Sequence, residues 1–450
     1  MQETARTSKS VAAERAVLVG LILPNREVAG TRYDPVSELA SLASAAGAEV
    51  VGRLIQKRPR PEPSTYIGRG KVAELAEYAE AKEADVIVFD DELSPSQIRD
   101  LEKIVKRKVI DRTELILDIF ASRARTHAAR LQVELAQLEY TAPRLRGMWT
   151  HLERIAGAAG GTGVGAVGGI GTRGPGERQI EIDRRLVQKR VTQLREQLAQ
   201  IDRRKLREVR ARRDQFTISL VGYTNAGKST LMNALTGADA AVADRLFATL
   251  DTKTRRWDLG GGCVALLSDT VGFVRKLPHH LVASFRVTLE EAIHADLLLH
   301  VVDASAEDAC RQLAAVNGVL SELGCADATT LVVLNKTDCV QESSDFQLLR
   351  TRMPDALSIS ARLGEGLDAL NAAVRGFVSD RYVRVTIEAD NTNGKLLAYL
   401  KRRGHVAGET YLDGHVRIDV LLPPGEVQRV TSLGGRVRET KSTSGPVPDR

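Results

Sequence analysis

The chain has 450 residues, of which 43% are hydrophobic and 27% are charged, and its formal net charge is +6. This length exceeds one ordinary domain and predicts two to four domains with substantial cores. No stretch approaches the roughly 20 consecutive apolar residues that span a bilayer. The four cysteines lack the spacing of metal ligands, which favours a reducing compartment. We therefore expect a cytoplasmic protein without a transmembrane segment, and partial membrane association stays open.

The first quarter of the chain alternates between strand-like and helix-like patterns. Short runs rich in β-branched residues lie at 16–23, 48–55 and 84–89, with helical patterns near 35–46, 71–83 and 94–106. This alternation predicts an α/β domain with an open sheet over residues 1–111. We find no recognisable catalytic constellation in it.

Two long helices are predicted next, with a glycine-rich segment between them. The first runs from about 112 to 145 and the second from about 179 to 213. In the second, apolar residues follow the 4-3-4-3 spacing of a coiled-coil seam: Val187, Val191, Leu194, Leu198 and Ile201. We expect an antiparallel helical hairpin over 112–214 whose tip is the glycine-rich segment 157–177.

The positive charge of the chain is concentrated in the second of these helices. Residues 184–213 carry twelve Lys or Arg and three acidic residues, so the rest of the chain has a net charge of −3. A basic element on an otherwise near-neutral chain suggests a polyanionic partner. The alternative is an ordinary solvated helix face.

The remainder of the chain returns to an α/β pattern. Strand-like runs at 216–221, 264–268, 297–303, 329–334 and 357–360 predict a nucleotide-binding domain over 215–380. A small α+β domain is expected over 381–434, with a strand, a helix and a strand pair near 409–422. Residues 435–450 are expected to form a disordered tail.

The segment "GYTNAGKST", residues 222–230, satisfies the phosphate-loop pattern G-x-x-x-x-G-K-[ST] directly after a strand and before a helix. In this motif, backbone N–H groups from Asn225 to Thr230 surround the phosphates at a helix N-terminus. Lys228 is expected over the β- and γ-phosphates, and the Ser229 hydroxyl is expected to bind Mg²⁺.

Three further short motifs follow later strands in the expected order. In "DTVG", Asp269 is expected to hold Mg²⁺ through water, and the Gly272 amide to sense the γ-phosphate. In "NKTD", Asp338 is expected to accept hydrogen bonds from N1–H and the amine of guanine, which adenine cannot donate. In "SAR", residues 360–362, main-chain groups should contact the guanine carbonyl. Together these motifs predict a guanine-nucleotide site.

Two positions near these motifs carry open alternatives. Thr249, in "RLFATLDTKTRR", is the predicted switch threonine that binds Mg²⁺ and the γ-phosphate, and Thr252 and Thr254 compete for that role. Asn225 either helps to hold K⁺, as in some related GTPases, or is a turn residue. Phe273 follows Gly272 where many GTPases have the glutamine that orients the attacking water, so isolated hydrolysis should be slow.

Six segments together resemble the HflX family of translation-associated GTPases. They are "GGIGTRGPGE" (168–177), "EIDRR" (181–185), "GYTNAGKST" (222–230), "LFATLD" (246–251), "DTVGF" (269–273) and "HVVDAS" (300–305). The likeness runs from about Leu18 to at least Arg375, and "YIGRGKVAEL" (66–75) also fits the family's N-terminal domain. Two departures are Arg178, where the family usually reads "GETQ", and the Gly/Ala stretch 157–167, which lengthens the tip.

The resemblance implies a multidomain α/β protein with an N-terminal α/β domain, a helical linker, a Ras-like P-loop domain and a small C-terminal domain. It implies Mg²⁺-dependent GTP hydrolysis on the large (50S) ribosomal subunit and its rRNA, in ribosome splitting, rescue or recycling. Lys228, Thr249 and Gly272 would be catalytic, and Ser229 and Thr249 would bind the metal. The implied GTP/GDP contacts are Gly222, Tyr223, Thr224, Asn225, Ala226, Gly227, Lys228, Ser229, Thr230, Phe247, Ala248, Thr249, Leu250, Asp251, Asp269, Thr270, Val271, Gly272, Phe273, Asn335, Lys336, Thr337, Asp338, Ser360, Ala361 and Arg362.

Other interpretations compete with this one. A tRNA-modifying GTPase would show a catalytic cysteine and a second substrate pocket, and neither is evident. Phe273 leaves open a second alternative, a GTP-gated binding module whose hydrolysis is incidental. The glycines 169, 171 and 174 match G-x-G-x-x-G without a preceding strand, which argues against a dinucleotide site. A flexible linker is the rival interpretation of the tip. We expect a monomer that does not bind DNA.

Overall fold

The fold is described from a computed structural model. The structure describes residues 11–24, 34, 36–142, 175–211, 215–238, 246–247, 252–260, 263–276, 292–340, 344–412, 414–422 and 426–441. Contacts divide the chain into two compact units. The first contains residues 1–203 with the short segments 244–251 and 276–286, and the second contains the rest.

The first unit is built on a parallel four-stranded sheet in the order β2-β1-β3-β4. Its elements are β1 (Arg15–Ile22), α1 (Ser37–Ala46), β2 (Glu49–Lys57), α2 (Arg69–Ala81), β3 (Val86–Phe89), α3 (Pro95–Val105), β4 (Lys108–Asp111), α4 (Arg112–Arg123) and α5 (His127–Thr141). The inner strands are continuous apolar runs, as expected for strands covered on both faces. Strand β4 has only four residues and was not predicted from the sequence.

The helix expected over 112–145 is two helices, so the prediction of one continuous helix was wrong. Ala124 ends α4 in an extended conformation, and the Thr126 hydroxyl accepts a hydrogen bond from the Ala129 N–H at 3.2 Å. This cap begins α5. Because α4 packs against α1 and β4, it belongs with the N-terminal sheet and not with the predicted hairpin.

Helix α6 spans Pro175–Ala211. It begins four residues earlier than expected, inside the predicted tip, and proline is favoured in the first turn of a helix. One cluster joins it to α5 through the predicted seam: Leu131, Leu135, Leu138, Val187, Val191, Leu194 and Leu198. Beside the cluster, Arg190 makes a two-pronged ion pair with Glu134 at 2.7 and 2.9 Å, and Arg195 contacts Glu139 at 2.8 Å. The tip residues 157–174, including Arg173, and the side chain of Arg178 lie outside the described residues.

The second unit contains a six-stranded sheet in the order β10-β9-β8-β5-β7-β6, parallel except for the β6–β7 pair. Its elements are β5 (Phe216–Gly222), α7 (Lys228–Thr236), β6 (Lys253–Gly260), β7 (Cys263–Asp269), β8 (Leu297–Asp303), α8 (Ala309–Glu322), β9 (Thr330–Asn335), α9 (Ser344–Arg352), β10 (Leu357–Ser358) and α10 (Leu367–Arg381). Strand β6 was not predicted from the sequence. Its core-facing residues are few, but Trp257 and Leu259 are fully buried.

A smaller antiparallel sheet in the order β12-β13-β11-β14 completes this unit. Its elements are β11 (Val383–Asp390), α11 (Gly394–Arg403), β12 (His405–Leu412), β13 (His415–Leu422), α12 (Val427–Ser432) and β14 (Arg436–Lys441). Strand β14 lies in the segment that we expected to be a disordered tail, so the boundary at 434 was too early. It has few apolar residues because it is an edge strand held by pairing with β11. No helix in the described part of the chain is long and apolar enough to cross a membrane.

Candidate functional site

The predicted motifs lie where the strands of the six-stranded sheet end. The phosphate loop follows β5, "DTVGF" starts at the last residue of β7, "NKTD" starts at the last residue of β9, and "SAR" follows β10. Since these strands are parallel, their carboxyl ends lie at one edge of the sheet. Ligands of open α/β sheets bind at this edge.

Two glycines give the phosphate loop its path. Gly222 has φ 149°, and a Cβ added to it would lie 2.2 Å from the Val301 carbonyl oxygen. Gly227 has φ 91°, and a Cβ there would lie 2.2 Å from Asn335 Nδ2. A side chain at position 222 would collide with the Val301 backbone, and one at position 227 would displace the Asn335 carboxamide and be strained by the positive φ. Between them Asn225 has φ 62°, which fits its interpretation as a turn residue, and a role in holding K⁺ stays a prediction.

Lys228 is the first residue of α7 and is almost completely buried. Its Nζ donates to the carbonyl oxygens of Gly222 at 3.0 Å and Tyr223 at 2.7 Å. Burial lowers the Lys228 pKa to about 8, although the nearby Asp269 charge opposes this shift. The ammonium group is thus held inside the loop in which phosphates are expected.

Oxygen ligands suited to Mg²⁺ lie beside this lysine. The Ser229 hydroxyl donates to Asp269 Oδ2 at 2.6 Å, which brings the two predicted metal-binding groups together. Thr270 donates to the Leu220 carbonyl oxygen at 2.6 Å and so fixes the start of "DTVGF" on β5. Among the described residues, the buried Thr224 Oγ1 has no hydrogen-bond partner. The Ser229 and Asp269 oxygens are of the ligand type that Mg²⁺ prefers, and the Thr224 hydroxyl in the phosphate loop has an unused hydrogen-bonding group. These features fit a site for Mg²⁺ bound with phosphate.

Asn335 ties three of the motifs together. Its Nδ2 donates to the Ala226 carbonyl oxygen at 2.8 Å, and its Oδ1 accepts from the Ala361 N–H at 3.0 Å. The side chain is buried, so both bonds are protected from water. Next to it, Lys336 pairs with Asp303 at 2.7 Å, and Thr337 donates to the Ile359 carbonyl oxygen.

Asp338 is exposed in this structure. The base that would cover it is the ligand itself, which is why the chain alone does not bury this group. The Ser360 hydroxyl donates to Asp338 Oδ1 at 2.7 Å. This bond is the main reason that the pKa of Asp338 is lowered. Sequence reasoning gave Ser360 only a main-chain role and missed its hydroxyl.

Phe273 is packed into the core. Its ring is 2% exposed, in a cluster with Val221, Tyr223 and Leu298. The backbone of Phe273 pairs with the phosphate loop, since its N–H donates to Gly222 O at 3.1 Å and its carbonyl accepts from Thr224 N–H at 2.7 Å. The side chain is therefore buried among apolar residues and has no polar group with which to orient an attacking water.

His300 is buried next to the site. No role for it was predicted from the sequence. It lies in β8, directly opposite Val221 of β5. Burial, reinforced by the Lys228 charge, lowers the His300 pKa to about 4, so the imidazole is neutral at physiological pH. Only its place in "HVVDAS" signalled it in the sequence.

The predicted switch residues are only partly visible. Ala248, Thr249, Leu250 and Asp251 lie outside the described residues. Phe247 is buried in the first unit, with its ring 4.7 Å from that of Phe120 in an edge-to-face arrangement. The competing residue Thr254 lies in β6, where its hydroxyl contacts the Ser268 hydroxyl at 3.0 Å.

Three family models match successive parts of the chain. Residues 34–121 match a family model described as "GTP-binding GTPase N-terminal", residues 123–213 match "GTP-binding GTPase Middle Region", and residues 217–336 match "50S ribosome-binding GTPase". A solved GTP-binding protein from Sulfolobus solfataricus in complex with GDP is similar over 81% of this chain and 99% of that chain, at 23% identity and a TM-score of 0.41.

Curated relatives match along most of the chain. The GTPase HflX of Escherichia coli is 42% identical over 92% of this chain and 94% of its own length. The GTPase HflX of Magnetococcus marinus is 43% identical over 93% of this chain and 96% of its own length. Identity at this level across nearly the whole length, together with the N-terminal, middle and GTPase models, shows that the chain is a GTP-hydrolysing enzyme and belongs to the HflX family of GTPases.

Proposed function

We propose that this GTPase is Mg²⁺-dependent, binds the large ribosomal subunit, and acts in ribosome splitting, rescue or recycling with hydrolysis stimulated by the ribosome. The proposed nucleotide binding is supported above all by the two hydrogen bonds of the Asn335 side chain, which join the phosphate loop to the segment after β10. The ribosomal part is supported by the family described as "50S ribosome-binding GTPase". A cytoplasmic location and a monomeric state belong to the same proposal.

Different residues of the chain bind the phosphates, the guanine base and the metal ion. Backbone N–H groups of residues 225–230 surround the phosphates, and Lys228 leaves its two loop carbonyls to meet the β- and γ-phosphates. Asp338 selects guanine while Ser360 holds its carboxylate in place. Ser229 and Thr249 would hold Mg²⁺ directly and Asp269 would hold it through water, and the ion would neutralise negative charge on the phosphates.

The catalytic machinery of the isolated chain is incomplete in this proposal. Phe273 is buried and has no group that could orient water. The orienting group must therefore come from an ordered switch segment or from the bound partner. This requirement is the physical reason to expect strong stimulation by a partner.

Helix α6 supplies the surface for an RNA partner. Arg184, Arg185 and Lys189 are exposed along it. Arg190 and Arg195 form ion pairs with glutamates of α5. We propose that α5 and α6 form the stalk of an antiparallel hairpin whose glycine-rich tip enters a narrow RNA crevice. Exposed cations along such a stalk would bind phosphates and release counterions.

The GTP hydrolysis rate should rise strongly when purified large ribosomal subunits are added to the protein. Steady-state phosphate release measured with large subunits, with tRNA alone and without RNA separates the candidate functions. Stimulation by tRNA alone would support a tRNA-modifying GTPase instead. No stimulation by either would favour a GTP-gated binding module, which the buried Phe273 also allows.

Neutralising the α6 cations should weaken binding to the large subunit and flatten its salt dependence. For the triple variant R184Q/R185Q/K189Q, the slope of log affinity against log salt should shrink by about 2–3, since up to three phosphate contacts are lost. The matched control K82Q/R99Q/K106Q removes three exposed cations from the α2–α3 region. If both variants behave like the unchanged protein, α6 is a solvated face and not a binding surface.

Replacing the Asp338 carboxylate should abolish the preference for guanine. D338N should bind GDP at least about a hundredfold more weakly, because an amide cannot accept both hydrogen bonds from guanine. The control D327N removes an exposed carboxylate of the same unit and should bind GDP normally. Titration calorimetry with GDP and ADP measures both effects, and unchanged GDP affinity in D338N would contradict the assigned base site.

Nucleotide binding should take up a proton at alkaline pH. In the free protein Lys228 has a pKa of about 8, and bound phosphates raise it, so affinity should fall as pH rises through 8. The proton uptake on GDP binding should therefore be larger at pH 8.5 than at pH 7. Calorimetry in buffers of different ionisation enthalpy measures this uptake. K401M, which removes an exposed lysine of α11, should show the same uptake.

A further inference from the structure

An ion pair joins the ends of two neighbouring strands beside the predicted base site. The Lys336 ammonium lies 2.7 Å from the Asp303 carboxylate, and the two side chains are only 28% and 15% exposed. Lys336 directly follows β9, and Asp303 is the last residue of β8. The two strands are parallel, with Asp303 opposite Asn335. The nucleotide motifs assign Asp303 no role.

The Asp303 carboxylate is itself oriented by Ser305. Its Oδ1 accepts hydrogen bonds from the Ser305 N–H at 3.0 Å and from the Ser305 hydroxyl at 2.6 Å. Its Oδ2 is the atom that contacts Lys336. The backbone beside it is also fixed, because the Ala304 N–H donates to the Asn335 carbonyl oxygen at 2.9 Å. Asp303 therefore offers the lysine a charged acceptor that is already in place.

The backbone of Lys336 is held in an unusual conformation. Its φ is 64°, in the left-handed region that lysine rarely adopts. Such strain persists only where the surroundings enforce it, and ligand-binding segments are a common place for it. Here the Thr337 N–H and hydroxyl both donate to the Ile359 carbonyl oxygen, at 3.2 and 2.9 Å. The Lys336 side chain thus starts from a fixed backbone and ends at a fixed carboxylate.

This anchored side chain lies next to the predicted guanine contact. Lys336 precedes the short 3-10 turn, Thr337–Cys339, that carries Asp338. The hydrogen bond to Asp338 raises the pKa of the Cys339 thiol, and the Lys336 charge opposes this rise, so the ammonium lies within electrostatic range of the base site. Because its charged end is occupied by Asp303, the lysine can offer its apolar methylene groups to a ligand. A purine has flat apolar faces that such a stem can cover.

The ion pair also removes a cost from ligand binding. An unpaired lysine samples many rotamers, and a ligand that packs against it must pay for ordering them. A side chain that is ordered before the ligand arrives avoids this loss of entropy, which raises affinity without any new contact. An isolated surface ion pair would contribute little to stability. The effect of Asp303 should therefore appear in ligand binding.

We propose that Asp303 is a positioning residue that fixes the Lys336 stem as one wall of the guanine site, and so strengthens binding of the nucleoside part of the nucleotide. This inference rests on the proposed nucleotide site. Asp303 is negatively charged and lies opposite Asn335, which contacts the phosphate loop. On charge alone, its removal would strengthen the binding of a diphosphate. Positioning predicts the opposite, because Lys336 is released.

The test compares GDP with inorganic pyrophosphate on the full-length protein with Mg²⁺, with both dissociation constants obtained by displacement of a fluorescent GDP. D303N should bind GDP about tenfold more weakly, the cost of ordering one free lysine side chain. Pyrophosphate reaches the phosphate loop but has no base, so its affinity should be unchanged in D303N. A merely structural role for Asp303 would weaken both ligands.

A double-variant comparison shows whether Asp303 acts through Lys336. K336M removes the ammonium and keeps an unbranched apolar side chain, so it should also weaken GDP binding. In the K336M background, D303N should weaken GDP binding no further, because the interaction that it breaks is already absent. A further tenfold loss in the double variant would show that Asp303 acts by another route.

The matched control is E409Q in the antiparallel sheet. Glu409 resembles Asp303 in its surroundings, since it is 21% exposed, pairs with Lys401 at 3.0 Å and accepts from the Tyr411 hydroxyl at 3.0 Å. E409Q should bind GDP normally. Unchanged or tighter GDP binding by D303N, or an equal loss of pyrophosphate affinity, would overturn the proposal. Failure of the nucleotide site itself would appear differently, as an absent guanine preference in the unchanged protein or normal GDP binding in D338N.

Discussion

The candidate site depends on one buried side chain, the carboxamide of Asn335. It donates to the phosphate loop through Ala226 and accepts from the segment after β10 through Ala361. Gly227 has to be glycine because this carboxamide occupies the place of a Cβ. Parallel strands bring several loops to one edge of the sheet, but only a fixed cross-connection sets the distance between the phosphate-binding and base-binding parts. In this chain Asn335 provides that connection.

The environment of the Lys228 ammonium suits the phosphate loop to binding a polyphosphate. Its ammonium is buried against loop carbonyls, which satisfies its hydrogen bonds but leaves it poorly solvated. A polyphosphate offers stronger, charge-assisted partners in the same place. Phe273 is committed to the core and cannot serve in hydrolysis. The described residues supply groups that bind a nucleotide, whereas Phe273 supplies no group that could orient an attacking water, and this supports the proposed stimulation by a partner.

Much of this was predictable from the sequence because the motifs combine local pattern with fixed spacing. Glycines 222 and 227, Lys228 and Ser229 are specified by the backbone conformations and ligands that a phosphate loop needs. The inner strands were recognisable as apolar runs. By contrast, β6 and β14 were missed because edge strands bury few residues and are held by pairing with a neighbour. The break before Thr126 was also missed, since a single capping residue interrupts an otherwise continuous helical pattern.

Long-range contacts were the second class of missed features. One example is the ion pairing of Lys276 with Asp90 and Asp91, which lie 186 and 185 positions earlier in the chain. No pattern in the sequence around these residues predicts that contact. The Ser360 hydroxyl on Asp338 was missed for the same reason. Such contacts are fixed by how strands and loops are arranged in space, and sequence patterns report only neighbours along the chain.

The central claim is that the exposed Asp338 carboxylate and the buried Lys228 ammonium together form a site for guanine nucleotides. Direct competition between guanine and adenine nucleotides on the unmodified full-length protein tests it without any substitution. We predict that GDP displaces a bound fluorescent GDP and that ADP at the same concentration does not. Equal displacement by ADP would contradict the account.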